Sequence, residues 1–219
     1  KGNGQGGFLS PVQYLMQYNA RSVAIGDLNH DGLNDLVGCN ASPPTLRIRW
    51  GTPSGGLSGG PATLIAGEAV ATVLGDFNQD GIVDAATANQ WTDNVSVILR
   101  TGQCGFTSLR RFPVGTGSAV GMAAADLNGD GFTDLAIPRA GAHKVTVVFG
   151  DGSGGFVPGT IANYSVGTNP EGIALGDLDL DGWIDIVTGN VNSQNISILR
   201  NTGSGVYATA VHMPVGGLA

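Results

Sequence analysis

One nine-residue pattern, D-x-[ND]-x-D-G-x-x-D, constrains this chain more than any other feature. It occurs four times: DLNHDGLND (Asp27 to Asp35), DFNQDGIVD (Asp76 to Asp84), DLNGDGFTD (Asp126 to Asp134) and DLDLDGWID (Asp177 to Asp185). The first aspartates are 49, 50 and 51 residues apart. Thirteen of the 17 acidic residues lie in these loops, in a chain of 219 residues that is only 12% charged. Like charges crowded together repel, so each loop calls for a positive partner. An acidic Asx turn without metal explains one such loop well, but not four in register.

The repetition extends beyond the loops, as it does in repeat architectures. A run of small and apolar residues precedes each loop (SVAIG, ATVLG, GMAAA, GIALG), and another follows it (LVG, AAT, LAI, IVT). An alternating run comes next: TLRIRW, NVSVILR, KVTVVFG and NISILR. A Gly-rich turn and a last extended run close the unit, as in RRFPVG, ANYSVG and VHMPVG. Alternation with period two reads as strand, with Val95, Val97 and Leu99 on one side and the more polar Ser96 and Arg100 off it. The 37 glycines fit many tight turns, and helical periodicity is weak throughout. The expected fold is all-β: a β-propeller of four-stranded antiparallel blades, stacked so that they bury together a core that one blade cannot bury alone. The blades are expected at 20–66, 67–116, 117–167 and 168–219 of a single domain, 1–219, with 1–19 left over.

The loop spacing suits calcium. Oxygen side chains at positions 1, 3, 5 and 9, a backbone carbonyl at position 7 and a turn-permitting glycine at position 6 supply the six to eight oxygens that this cation takes. The expected side-chain ligands are Asp27, Asn29, Asp31 and Asp35; Asp76, Asn78, Asp80 and Asp84; Asp126, Asn128, Asp130 and Asp134; and Asp177, Asp179, Asp181 and Asp185. The carbonyls come from Leu33, Ile82, Phe132 and Trp183, whose side chains are expected to plug the core beneath the loop. Four Ca²⁺ would bring eight positive charges against a net charge of −7. Magnesium prefers to keep its waters, and softer metals prefer Cys or His. The EF-hand reading fails, because the twelfth-position Glu is missing and the flanks are strands.

These loops, the small-apolar runs before them and the Asn-Val-Ser-Val and Asn-Ile-Ser-Ile strands after them resemble the FG-GAP or VCBS repeats of integrin-α-type β-propellers, over nearly the whole chain. The resemblance implies one blade per repeat, calcium between the first two strands of each, the ligands named above and no catalytic residues. It also implies an extracellular or cell-surface setting, in adhesion proteins, lectins or large surface proteins. The chain departs from that family in having four loops where about seven blades are usual, and in its phase. GNGQGGFLSPVQYLMQ and TGSGVYATAVHMPVGG both resemble a last-strand segment, giving five last strands for four loops. Three readings follow: a piece of a longer propeller, a small ring with the extra strand covering an edge, or a terminal strand that completes a neighbour's sheet, joining copies head to tail.

Other features are weaker. Cys39 and Cys104 fall on opposite faces of an up-and-down blade, which makes a bond within the chain difficult and leaves two free thiols or a bond between stacked subunits, Cys39 of one to Cys104 of the next. His30 reads as solvated, and His143 and His212 stand alone. No nucleophile–base arrangement or phosphate loop is evident, and the acids outside the loops are Glu68, Asp93, Asp151 and Glu171. The acidic balance without a basic patch argues against nucleic acid, and no apolar run is long enough to cross a membrane. No signal peptide is visible, as in a mature or trimmed chain. Asn40, Asn94, Asn163 and Asn195 match the glycosylation sequon, but Asn94 and Asn195 hold equivalent repeat positions where Asn suits the turn before a strand, and no glycan is inferred. Trp91 is either a stacking platform or partly buried between blades. The expected function is that of a non-enzymatic, calcium-stabilised extracellular module that assembles with copies of itself or another surface protein. A carbohydrate-binding adhesion module or the targeting domain of a larger surface protein is the alternative.

Overall fold

The computed structural model describes residues 4–7, 10–16, 19–65, 67–102 and 106–216. It is built of four four-stranded antiparallel sheets, each formed by consecutive strands in chain order. The first holds β1 (Ala20–Gly26), β2 (Asp35–Asn40), β3 (Thr45–Gly51) and β4 (Leu57–Leu64). The second holds β5 (Ala69–Gly75), β6 (Asp84–Asn89), β7 (Asn94–Arg100) and β8 (Phe106–Pro113). The third holds β9 (Ala123–Ala125), β10 (Asp134–Arg139), β11 (Lys144–Val148) and β12 (Ala162–Ser165). The fourth holds β13 (Pro170–Gly176), β14 (Asp185–Asn190), β15 (Asn195–Leu199) and β16 (Val211–Pro214). The only helical turn among the described residues is a 3-10 turn at Ala140–Ala142.

Each sheet packs its face on the next. Val37, Leu46 and Ile48 of the first meet Ala85 and Ile98 of the second. Ala86, Ala88, Val95 and Val97 of the second meet Leu135 and Ile137 of the third. Ala136, Val145 and Val147 of the third meet Ile186 and Leu199 of the fourth. Val95, Val97 and Leu99 do share a face, as their alternation requires. Ser96 and Arg100 are buried too, because the other face of the second sheet is covered by the first. Burial of these polar groups is offset locally: Ser96 Oγ accepts from Asn89 Nδ2 at 2.8 Å, and the Arg100 guanidinium lies 5.8 Å from the centre of the Trp50 ring.

The second strand of the second sheet is rich in alanine because the first and third sheets cover it from both sides. β6 (DAATAN) is buried along its whole length. Gly121 shows how tight the approach is: a Cβ there would come within 2.9 Å of the Glu171 carbonyl on the next sheet. Arg21 of β1, Val70 of β5, Val120 just before β9 and Glu171 of β13 line one opening of about 290 Å³ together with Gln90.

The expected surplus strand is not formed among the described residues. Residues 10–16 run without strand pairing. A last strand pairs with the third strand of its own sheet, and no third strand among the described residues is left to pair with this segment. Instead it lies over the outer face of the first sheet. Asn40 Nδ2 donates to the Met16 carbonyl at 2.7 Å, Arg49 donates to the Leu15 carbonyl, and the Leu57 N–H donates to the Tyr14 hydroxyl at 3.2 Å. Met16 Cε rests where a side chain at Gly38 would stand, 2.4 Å from its Cβ position.

Candidate metal centres

Each acidic loop joins the first strand of a sheet to the second, at the same end of all four. The position-6 glycines Gly32, Gly81, Gly131 and Gly182 take φ of 80°, 79°, 86° and 91°, the left-handed conformation that lets the chain fold back. The carboxylates then face inward on the loop's own backbone. Those of Asp27, Asp76, Asp126 and Asp177 accept the N–H groups of positions 5 and 6. Those of Asp31, Asp80, Asp130 and Asp181 accept the N–H of position 7, each at 2.8 Å. In the first three loops the Asn29, Asn78 and Asn128 amides donate to the position-5 carboxylate at 3.0, 2.9 and 2.8 Å.

The position-9 aspartates, Asp35, Asp84, Asp134 and Asp185, are at most 1% exposed. One carboxylate oxygen accepts the N–H of position 2: Leu28, Phe77, Leu127 or Leu178, at 2.9, 3.2, 2.8 and 3.1 Å. The other accepts the N–H of Gly51, Arg100, Gly150 or Asn201, at 2.7, 2.7, 2.8 and 2.9 Å. Each of these residues therefore ties its loop to the end of the third-strand segment. Burial pushes the Asp84 and Asp134 carboxyls up to about 6; two N–H bonds pull each down, and the neighbouring position-5 and position-1 aspartates raise them further. Buried carboxylates beside like charges are what a cation would stabilise.

In the fourth loop Asp177, Asp179 and Asp185 each place a carboxylate oxygen within 4.8 Å of the others, a triad able to coordinate a metal ion. An arginine already lies there: Arg200 pairs with Asp185 and sits 3.5 Å from Asp179. This residue was missed in the sequence, where it reads only as the polar end of an alternating strand. The donor set of all four loops is oxygen, the chemistry of a hard cation. The position-7 side chains of Leu33, Ile82, Phe132 and Trp183 are half-buried. Trp183 does not plug a core beneath its own loop; it lies across Gly129 of the preceding loop and against Gly203.

The loops also touch one another. His30 Nε2 donates to the Gly81 carbonyl at 3.0 Å, and Gln79 Nε2 to the Gly131 carbonyl at 3.1 Å. His30 is thus exposed but not merely solvated. Cys39 is fully buried between the first two sheets, with its thiol pKa raised by that burial, so a bond from it to another subunit is sterically blocked. Its expected partner Cys104 lies outside the described residues. Trp91 is exposed at 72%, its indole N–H donating to the Glu68 carboxylate.

Fold and loops together define an all-β chain of four blade-like sheets with an acidic loop at one end of each. Two family models match within it, an FG-GAP-like repeat over residues 76–137 and an FG-GAP repeat over residues 118–157. The FG-GAP likeness thus covers residues 76–157, which hold the second and third loops. No curated protein matches the sequence. Among solved structures, a functionally unknown protein from Desulfotomaculum acetoxidans superposes with a TM-score of 0.69 at 18% identity, covering 94% of this chain and 59% of that one. The periplasmic gluconolactonase PpgL of Pseudomonas aeruginosa gives 0.68 at 19% identity, covering 90% and 54%. BBS1N, solved in complex with ARL6DN, gives 0.63 at 16%, covering 91% and 57%. At these identities the likeness is one of fold, and the chain spans a little over half the length of each.

Proposed function

We propose that this chain is a non-enzymatic, calcium-stabilised structural module of propeller type that works outside the cell or on its surface and associates with copies of itself or with another surface protein. The observation that carries the reading is the fourfold repetition of one oxygen-lined loop, each with a buried aspartate bonded both to the loop and to the end of the third-strand segment. Calcium at Asp27, Asn29, Asp31 and Asp35, and at the matching residues of the other three loops, would neutralise the crowded acids and fix the first strand to the second. Binding the folded state alone, it would add its binding energy to stability.

Support for a non-enzymatic role comes from the histidines. Ser197 Oγ lies 2.9 Å from His212 Nδ1, but that serine is fully buried and its hydroxyl also takes Asn190 Nδ2 and the Gly167 N–H. It holds strands together rather than facing a substrate. The test is thermal unfolding in millimolar calcium and again in excess EDTA. A fall in Tm on chelation, restored by calcium and not by magnesium, is expected; identical curves would sink the reading. The exposed Trp91 favours a second reading, a carbohydrate-binding surface, for which a glycan array blank for the wild type is the opposing result.

A further inference from the structure

The fourth acidic loop departs from the other three at two positions, and the two meet in space. Position 3 is Asp179, where the others carry Asn29, Asn78 and Asn128. The residue just before the N–H donor to the position-9 aspartate is Arg200, where the others carry Trp50, Leu99 and Phe149. Those three counterparts pack into the apolar interior between sheets. Arg200 turns onto its own loop instead: Nη1 donates to Asp185 Oδ2 and lies 3.5 Å from Asp179 Oδ2. The Asp185 oxygen that it takes already accepts the Leu178 N–H at 3.1 Å, and the other oxygen accepts the Asn201 N–H at 2.9 Å. Asp185 therefore accepts three bonds, whereas Asp35, Asp84 and Asp134 accept two each. Among the described residues no other Lys, Arg or His side chain forms an ion pair with a loop carboxylate. Arg100, beside the first loop, gives its N–H groups to the carbonyls of Leu28 and Gly102.

We propose that Arg200 is a resident counter-cation of the fourth loop, and that this loop takes calcium last, after the other three have filled. The inference rests on the calcium reading above and ranks its four sites. Calcium draws on carboxylate oxygens, and two of the three carboxylates that converge in the fourth loop already face the guanidinium. To bind there, calcium must break a charge-assisted hydrogen bond that the first three loops do not have. Total charge does not make the difference. The fourth loop has four aspartates against one arginine, and each of the others has three aspartates and an asparagine, so all four carry the same net charge. What differs is that one loop brings its own cation. Both members of the pair belong to the fourth sheet and its own loop. When calcium is scarce, this loop keeps a neutralising partner at its buried aspartate while the other three have none. When calcium fills it, Arg200 is released.

The test is a calcium titration of the full chain, stripped with EDTA and dialysed, in competition with a chromophoric chelator. Three ions are expected to bind with one affinity and a fourth about tenfold more weakly, the effect of giving up one hydrogen bond between charged groups. The double variant Asp179→Asn with Arg200→Leu gives the fourth loop the composition of the others and leaves its net charge unchanged. In that variant the fourth ion is expected to bind as tightly as the first three. Arg200→Gln, a milder change at a part-exposed side chain, should raise the fourth affinity in the same direction if the double variant does not fold. Four equal ions in the wild type overturn the inference and leave the calcium reading standing. A weak fourth ion that neither variant strengthens also overturns it, because the weakness then lies elsewhere than in Arg200. No calcium bound at any loop overturns the calcium reading and this inference together.

Discussion

The first and fourth sheets are the same unit by sequence and topology, yet their outer faces are finished differently. On the first, Arg47 and Arg49 stand where the other sheets carry Ser96, Thr146 and Ser197, and Ile98, Val148 and Leu199. Those six are at most 3% exposed, held between sheets, whereas the two arginines are only half-buried and Arg49 holds the 10–16 segment in place. On the fourth, the outward positions keep the apolar residues of the interior, and no segment among the described residues covers them. The first sheet has the more polar outer face of the two, although Val23 and Ile25 there remain 56% and 67% exposed.

The comparison breaks most sharply at one position that recurs in both sheets. Ile48 of the first faces the interior and is completely buried, while its counterpart Ile198 faces outward and is half-buried. Ile48→Ala should cost about 2–5 kcal/mol, and Ile198→Ala about 1 kcal/mol or less in dilute solution, both read by urea unfolding. Equal losses would show that the fourth sheet is already covered in the monomer. Removing residues 1–18 comes next. It deletes the acceptors of Asn40 and Arg49, for a loss of about 1–2 kcal/mol, and uncovers the outer face of the first sheet. Particles larger than those of the full chain should then appear by light scattering; an unchanged size would show that the segment does not shield that face. The smallest effect is expected at His30→Ala, which loses a single exposed bond to Gly81, about 0.5 kcal/mol. A loss several times larger would mean that the loops hold the sheets together more than the interior does.

Much of this was legible in the residues. The fifty-residue period gave the number of sheets, and the alternation of NVSVILR placed Val95, Val97 and Leu99 on one face. Which faces are covered was not legible, since alternation separates two sides of a strand without saying what lies against either. Ser96 and Arg100 read only as the more polar side of their strand for that reason, and both are buried. The loops announced oxygen ligands, but the double attachment of the position-9 aspartates depends on an N–H sixteen residues away, across two strands. Arg200 is the same kind of miss: its approach to Asp185 follows from strand pairing, not from spacing. Residues 10–16 resemble a last strand in composition, yet strand formation needs a neighbour, and composition carries none.

The bonds between loops give the array a direction. Each of the first two loops reaches forward from its fourth residue to the carbonyl of the next, His30 to Gly81 and Gln79 to Gly131. At the third loop that residue is Gly129, which can offer only its surface to Trp183, and at the fourth it is the exposed Leu180. A row whose polar rungs run out toward one end should fray from that end. We expect hydrogen exchange to show the amides of the fourth sheet opening first and independently, with the first three sheets opening together as one later cooperative block.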